Sequence, residues 1–179
     1  MPSDAELMTR AKRGDARAFG VIADRYKGWL RRLFYHLFWD WDEAEDAAQE
    51  VLLRLWLARE RYEPRAKLST YLFTIARNHW LGQRARANSR PKVVSLQEQF
   101  GPGAAGILRR IADEAPSPED TVIRRYELFR IRRAIDEVPE KHRIVFILCH
   151  FEGLRCAEAA EMLGIPEGTV KSRLWHAIR

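Results

Sequence analysis

Cysteine is scarce in this sequence, and long apolar runs are missing from it. The 179 residues include only two cysteines, which excludes a disulfide-built secreted scaffold and fits a reducing compartment. No apolar stretch approaches the roughly 20 residues that a membrane-spanning helix needs. The start, MPSDAELMTRAKRG, has early acidic side chains and no apolar core, so it does not resemble a secretory signal. We therefore expect a cytoplasmic protein.

The sequence also lacks the alternation of apolar and polar residues that predicts β-strands. Hydrophobic residues make up 46% of the chain, which is enough for packed cores. Lys and Arg number 31 against 25 Asp and Glu, and the net charge of +6 permits a polyanionic partner without requiring one. Apolar residues instead recur at spacings of three and four. This periodicity predicts an all-α protein.

Capping residues indicate where the first helices begin. Ser3 and Asp15 are each suited to cap a helix, and the spacing of Asp42 and Glu45 predicts that a third helix begins at a capping box. A fourth helix is predicted over residues 69–85, where apolar side chains again follow the helical period. These helices form the first predicted domain.

A stretch rich in proline and glycine separates this domain from a second one. Residues 89–117 contain the sequence GPG and further Gly and Pro residues, which predicts a flexible linker. The dipeptide at 117–118 is Ser-Pro, a favourable helix start. The sequence thus predicts two small helical domains, over residues 1–88 and 118–179, joined by this linker.

The third predicted helix has an acidic outer face that contains a leucine. At about 100° per residue, its small and aliphatic side chains share one side, namely Ala44, Ala48, Val51, Leu52 and Leu55. Leu53 lies on the other side, among Asp42, Asp46, Gln49 and Glu50. A protein-docking surface and an ordinary solvated surface with one exposed leucine explain this pattern equally well. A metal site is disfavoured because no histidine accompanies the acids at ligand spacing.

The next segment has the opposite charge. Between Arg61 and Lys92 there are eight Lys and Arg residues and one acid, with aromatic residues between them. Basic and aromatic side chains together favour single-stranded nucleic acid, because the charges follow the backbone and the rings stack on bases. The alternative places the rings in a core; we expect this for Phe73 and leave it open for Trp80.

The end of the chain has the pattern of a helix-turn-helix. A short turn at Gly164 precedes a helix whose inner side holds Val170, Leu174 and Ala177. Its outer side holds Lys171, Ser172, Trp175, His176 and Arg179. Such a second helix enters the major groove of DNA, where basic and hydroxyl side chains contact phosphates and bases. A solvated basic helix, or a tryptophan that packs on the other domain, is the alternative.

The two cysteines and a histidine lie close together in sequence. Cys149, His150 and Cys156 are one ligand short of a structural zinc site, and their spacing fits no compact zinc motif. Buried thiols are the better explanation. We therefore expect no metal at these residues.

Four segments resemble, in order, the bacterial RNA polymerase sigma factors of the extracytoplasmic-function (ECF) group. AEDAAQEVLLRLW (44–56) resembles the helix that docks on core polymerase. RYEPRAKLSTYLFTIARN (61–78) resembles the loop and helix that melt and read the −10 promoter element. VPEKHRIVFILCHFEGL (138–154) and AEAAEMLGIPEGTVKSRLWHA (157–177) resemble the domain that reads the −35 element.

The resemblance implies a non-catalytic promoter-specificity subunit, with core RNA polymerase, promoter DNA and an anti-sigma factor as partners. For core polymerase it implies Asp46, Gln49, Glu50, Leu53 and Arg54. For the −10 element it implies Tyr62, Arg65, Lys67, Ser69, Tyr71, Arg77 and Asn78. For the −35 element it implies Thr169, Lys171, Ser172, Arg173, Trp175 and His176. A repressor would leave the acidic helix unexplained, and a nuclease built on that helix would require a metal.

The sequence departs from the family pattern at the helix that supports the helix-turn-helix. This helix usually begins with Ser or Thr, and Arg155 occupies that position here. Loss of such an N-cap costs about 1 kcal/mol. We therefore expect this helix to depend more on packing. Leu52 replaces the family's usual phenylalanine, and Ala159-Ala160 replaces a larger pair.

Overall fold

The computed structural model of the protein describes residues 1–63, 66–88 and 129–179, without the side chains of 87 and 88. Its helices, in chain order, are α1 (Asp4–Lys12), α2 (Ala16–Phe38), α3 (Trp41–Ala58), α4 (Leu68–Asn88), α5 (129–137), α6 (Glu140–Phe146), α7 (Cys156–Leu163) and α8 (Glu167–Ile178). A 3₁₀ turn, Arg59–Arg61, follows α3, and a π-helical turn, Ile147–Phe151, continues α6. The described residues contain no β-strand, and the predicted all-α class is confirmed. The predicted linker, 89–117, lies outside them.

The first two helices begin at the predicted caps. The Ser3 hydroxyl accepts a hydrogen bond from the Glu6 backbone N–H at 3.3 Å, and the Glu6 carboxylate accepts one from the Ser3 backbone N–H at 2.7 Å. Asp15 accepts from the backbone N–H groups of Arg17 and Ala18, both at 3.0 Å. These bonds satisfy donors that would otherwise have no partner at the helix ends.

The predicted capping box of the third helix is wrong. Asp40 caps α3, because its carboxylate accepts the backbone N–H groups of Asp42 and Glu43, each at 2.9 Å. Glu45 instead reaches across to α2 and pairs with Lys27 at 2.6 Å and Arg31 at 3.5 Å. The spacing of Asp42 and Glu45 was compatible with a box, but basic residues on a neighbouring helix hold the Glu45 carboxylate.

Helices α1 to α4, which we call the N-terminal unit, enclose a large apolar core. The faces predicted for α3 are confirmed, since Ala44, Ala48, Val51, Leu52 and Leu55 are all buried. Trp80 is 1% exposed and therefore belongs to the core, as does Phe73. Other large side chains that are fully buried here include Leu30, Leu33, Phe34 and Leu72.

Helices α5 to α8, which we call the C-terminal unit, have a smaller core, which is continuous with that of the N-terminal unit. It consists mainly of Ile144, Val145, Ile147, Leu148, Ala159 and Val170. Arg143 is buried among them, and its guanidinium donates to the Val138 carbonyl at 3.3 Å and to the Asp136 carboxylate at 3.3 Å. It also donates to the Asp136 carbonyl. One side chain thus joins the end of α5 to α6.

Helix α7 has no side-chain acceptor at its N-terminus, as expected from Arg155. The Glu158 carboxylate accepts from the Arg155 backbone N–H at 2.9 Å and from its guanidinium at 3.0 Å. A guanidinium has no acceptor atom, so it cannot return the bond to the Glu158 N–H. Only half of a capping box forms.

Among the described residues, the two units touch at several places. The ring of Phe151 stacks on His36 of α2, with centroids 4.0 Å apart and planes 6° from parallel. Glu152, whose side chain is 2% exposed, lies 3.9 Å from the Arg32 guanidinium. Lys67, just before α4, pairs with Glu161 of α7 at 2.9 Å. These contacts hold the C-terminal unit against α2 and α4.

Candidate partner and nucleic-acid interfaces

The outer side of α3 presents carboxylates and leucines together. Asp46 and Gln49 are exposed, and Leu53, one helical turn beyond Gln49, is 50% exposed. Glu50 pairs with Arg54 at 2.7 Å, and Gln49 donates to the Glu45 carboxylate at 3.1 Å. The five residues predicted for core polymerase therefore occupy one continuous surface, which we call the acidic surface.

Sequence reasoning missed an extension of this surface. Leu57 is 68% exposed and follows Leu53 by one helical turn, so the two side chains are neighbours. The signal was present in the sequence, because an i, i+4 pair of leucines on an outer face is unusual for solvated helices. An apolar strip bordered by acids is the composition expected of a protein-docking site.

The residues predicted for the −10 element separate into buried and exposed ones. Tyr62 is 5% exposed, its ring meets Tyr71 edge-on at 5.2 Å, and its carbonyl accepts from the Lys12 ammonium at 2.5 Å. Burial also raises the pKa of Tyr62. Its ring is thus part of the core and is not exposed to solvent as a −10 contact would require in this conformation. A run of basic and aromatic residues could not reveal which ring turns inward.

The remaining −10 candidates lie at or near the surface. Arg77 and Asn78 are exposed on α4, while Ser69 and Tyr71 are half-buried near its start. Lys67 is exposed but engaged by Glu161. Arg65 lies outside the described residues.

The faces predicted for α8 are confirmed. Val170 is fully buried, and Lys171, Ser172, Trp175 and His176 are exposed. Thr169 and Arg173 are half-buried at the border of the exposed face. Trp175 is 50% exposed, and the guanidinium of Arg179 lies over its ring, 4.0 Å from the ring centroid. We call this exposed side, with its Trp175, the basic face.

A shallow depression of about 450 Å³ borders the basic face. Its lining adds Lys141 and His142 of α6 to Thr169, Ser172 and Arg173 of α8. The His142 ring stacks on His176, with centroids 5.4 Å apart. Burial and the charge of Lys141 lower the pKa of His142. Sequence reasoning did not single out Lys141 and His142, because only the packing of α6 on α8 brings them here.

Charge at the basic face is partly balanced from within the helix. Glu167 pairs with Lys171 at 2.8 Å, and this hydrogen bond raises the pKa of Lys171. Both side chains are exposed, so the pair contributes little to stability and a phosphate can replace the carboxylate as partner. Within the described part of the chain, no helix is long and apolar enough to cross a bilayer.

Comparisons with known proteins match these units to known domains. Residues 22–90 match the family described as Sigma-70 region 2, and residues 128–179 match Sigma-70, region 4. The ECF RNA polymerase sigma factor SigW of Bacillus subtilis is 32% identical over 165 residues, which are 92% of this chain and 87% of that protein. SigL of Mycobacterium tuberculosis is 33% identical over 94% of this chain and 89% of its own.

Two solved structures share the fold. CnrH, in complex with the cytosolic domain of CnrY, has a TM-score of 0.65 and 21% identity, covering 96% of this chain and 90% of its own. The sigma factor RpoE of Bartonella quintana, in complex with the anti-sigma factor NepR, has a TM-score of 0.60 and 23% identity, covering 89% and 91%. The chain belongs to the ECF group of RNA polymerase sigma factors, and it is a promoter-recognition subunit of transcription initiation.

Proposed function

We propose that the acidic surface binds core RNA polymerase, that the exposed residues near α4 contact the −10 element, and that the basic face contacts the −35 element. The observation that carries this proposal is the separation of charge between α3 and α8. An acidic surface with exposed leucines repels DNA and suits a protein, whereas a basic face with an exposed tryptophan suits a duplex. No catalytic step is assigned to the chain.

At the −35 element, the side chains on the basic face and at its border each have a chemical role. Lys171 and Arg173 neutralise phosphates or donate to guanine, while Ser172 and His176 offer hydrogen bonds to base edges. Trp175 provides a flat apolar surface for sugars or bases. Lys141 and His142, across the depression, extend the contact from α8 to α6. A short turn and a recognition helix of this kind are typical of helix-turn-helix proteins.

At the −10 element, the proposal relies on Lys67, Ser69, Tyr71, Arg77 and Asn78. Lys67 must exchange its Glu161 partner for a phosphate before it can serve DNA. Two elements about 25 base pairs apart are separated by roughly 85 Å at 3.4 Å per step. A compact chain of this length has a diameter of only about 40 Å. The two units must therefore part when both elements are bound.

The proposed partners are core RNA polymerase, promoter DNA and an anti-sigma factor. Weak binding of each unit to DNA becomes specific when both are tethered to polymerase, because tethering raises the effective concentration of the second contact. The solved structures of CnrH and of RpoE are of complexes with other proteins, and RpoE is bound to an anti-sigma factor. We infer that an anti-sigma factor also binds this chain, and that the chain acts in the cytoplasm.

The test is transcription in vitro with purified core polymerase on a promoter library. The double variant Asp46→Ala, Gln49→Ala should lose binding to core polymerase by about tenfold or more, because both side chains are exposed on the acidic surface. Glu137→Ala is the matched control, since it removes an exposed carboxylate from α5. Equal core binding by the double variant and the control would contradict the assignment.

The basic face has a separate test. Lys171→Ala should weaken binding to −35 duplex and reduce its salt dependence by about one counterion. Arg17→Ala removes the same charge from an exposed position on α2 and should leave −35 binding unchanged. If both variants bind −35 duplex alike, only net charge matters and the basic face is misassigned.

A further inference from the structure

The two cysteines, which the proposed function does not use, lie side by side in the C-terminal unit. Cys149 is in the π-helical turn after α6, and Cys156 is the first residue of α7. Both are free and half-buried, and Cys156 lies close enough to Cys149 to contribute to the raised pKa of its thiol. Because the chain contains no other cysteine, thiol chemistry is confined to this pair.

The backbone between the two residues makes a compact reversal. The Glu152 N–H donates to the Ile147 carbonyl at 3.1 Å, which widens the helix at its end, and the Leu154 N–H donates to the Leu148 carbonyl at 3.0 Å. Gly153 takes a φ of 69°, a conformation that glycine adopts at little cost. The start of α7 is thereby turned back against Cys149. Wide turns of this kind often accompany functional sites.

The two thiols have different surroundings. Burial raises the pKa of Cys149 to about 11, and the neighbouring Cys156 acts in the same direction, so Cys149 is a protonated thiol at neutral pH. Cys156 occupies the N-terminus of α7 and lies close enough to Lys171 for their charges to interact. Because Cys149 is held protonated, the attacking role falls to Cys156.

We propose that Cys156 and Cys149 form a reversible intramolecular disulfide when the protein meets hydrogen peroxide. The Cys156 thiolate attacks one peroxide oxygen, the O–O bond breaks, and the released hydroxide takes up a proton to become water. The Cys149 sulfur then attacks the sulfenic acid formed on Cys156. The S–S bond forms, the S–O bond breaks, and the leaving hydroxide combines with the Cys149 proton. In total, the two thiols lose two electrons, and one molecule of peroxide gains them and becomes two molecules of water.

The disulfide would act on the recognition helix. The two sulfur atoms must approach to about 2.05 Å to form the bond, so the first turn of α7 moves towards the end of α6. This turn is weakly capped and can shift, and α8 packs against both α6 and α7. We expect the oxidised protein to bind −35 duplex several-fold more weakly. That effect on DNA rests on the proposed function, whereas disulfide formation does not.

The full-length protein, freed of reductant, is treated with hydrogen peroxide and examined by thiol titration and by mass spectrometry without reduction. The two free thiols should disappear together in the monomer, with a mass loss of about 2 Da that dithiothreitol reverses. Cys149→Ser should leave a sulfenic acid on Cys156 that dimedone traps. Cys156→Ser should stay unmodified at the same dose.

Three results would overturn the proposal. In the first, both thiols of the unmutated protein persist at a peroxide dose after which dimedone labels Cys149→Ser. In the second, disulfides form only between molecules. In the third, dimedone labels Cys156→Ser faster than Cys149→Ser. The titration of the unmutated protein stands even if a variant does not fold. Equal −35 affinity of the oxidised and reduced forms would overturn the effect on DNA. Failure of the reduced form to bind any −35 duplex would count against the proposed function instead.

Discussion

The N-terminal and C-terminal units differ in how their helices are capped and in which side chains their cores bury. In the N-terminal unit, Ser3, Asp15 and Asp40 each cap a helix with a side-chain oxygen. In the C-terminal unit, the N-cap positions of α6, α7 and α8 are Pro139, Arg155 and Pro166, none of which makes a side-chain cap. Each missing cap leaves about 1 kcal/mol of local stabilisation unused.

The cores also differ, and again the N-terminal unit has the more stabilising features. Trp80, Phe34 and Phe73 are fully buried in the N-terminal unit, whereas the C-terminal core is built from smaller aliphatic side chains around Arg143. Large aromatic rings contribute most to a core because each removes a large apolar area from water. The comparison indicates that the acidic surface is supported by the more stable unit. The basic face belongs to a unit whose helices shift more easily.

The two tryptophans Trp80 and Trp175 allow the same substitution in both units. Trp80→Ala should lower the free energy of unfolding by about 3–5 kcal/mol, because it leaves a large cavity in a closed core. Trp175→Ala should change it by only about 0.5 kcal/mol, since that ring is half exposed, and should act instead on −35 binding. Urea denaturation followed by circular dichroism measures both. Similar losses of stability would contradict this contrast.

Arg143 is the polar element on which the C-terminal unit depends. Arg143→Met should destabilise this unit by about 2–3 kcal/mol, because carbonyls of the α5–α6 turn lose their donor inside the core. Arg143→Lys should restore little of this, since an ammonium cannot donate from a rigid fork. Hydrogen exchange of amides in α6 and α8 reads the effect locally, with α3 as the internal reference. Equal loss of protection in α3 would show that the two units are not separate in stability.

The contact between the units should respond to acid through His36. Burial, aided by the charge of Arg32, lowers the pKa of His36 to about 4. An exposed histidine has a pKa of about 6.5, so below that pH the unfolded chain binds a proton that the folded chain does not. This contribution to stability is complete above pH 6.5 and is lost as the pH falls towards 4. After allowance for partial exposure, we expect a loss of about 1–2 kcal/mol.

His36→Phe tests this dependence, because it keeps an aromatic ring against Phe151 and removes the titrating group. It also removes a buried Nδ1 that has no hydrogen-bond partner among the described residues. Burial raises the pKa of Glu152, so this carboxylate favours the folded state as the pH falls and opposes His36. In the variant, stability should therefore stay level or rise between pH 6.5 and 4.5. The same acid loss in both proteins would exclude His36 as the cause.

Removing a helix cap from the N-terminal unit, or adding one to the C-terminal unit, should give the smallest changes in stability. Asp40→Ala removes the acceptor for two backbone N–H groups of α3 and should cost about 1 kcal/mol. Arg155→Ser supplies an acceptor at α7 and should stabilise the C-terminal unit by about 0.5–1 kcal/mol. Thermal unfolding measures the first, and hydrogen exchange of α7 measures the second. No gain from Arg155→Ser would mean that the half box formed by Glu158 already suffices.

The inner and outer faces of α3 and α8 were predictable from the sequence, because helical periodicity fixes the angle between residues of one helix. The family was predictable for a related reason, since its motifs are short and local. The inward turn of Tyr62 and the burial of Trp80 were not predictable. An aromatic ring among basic residues goes inward or outward according to which helix packs beside it, and no local spacing records that.

By itself, the sequence determined the helices, their faces and the separation of acidic from basic segments, all of which depend on residues within one or two turns. The tertiary structure alone decided which groups from distant segments meet. It placed Glu45 against Lys27, Lys67 against Glu161 and Cys149 against Cys156. Such pairings depend on how whole helices pack, and the free energy of that packing is spread over many contacts rather than written in any one motif.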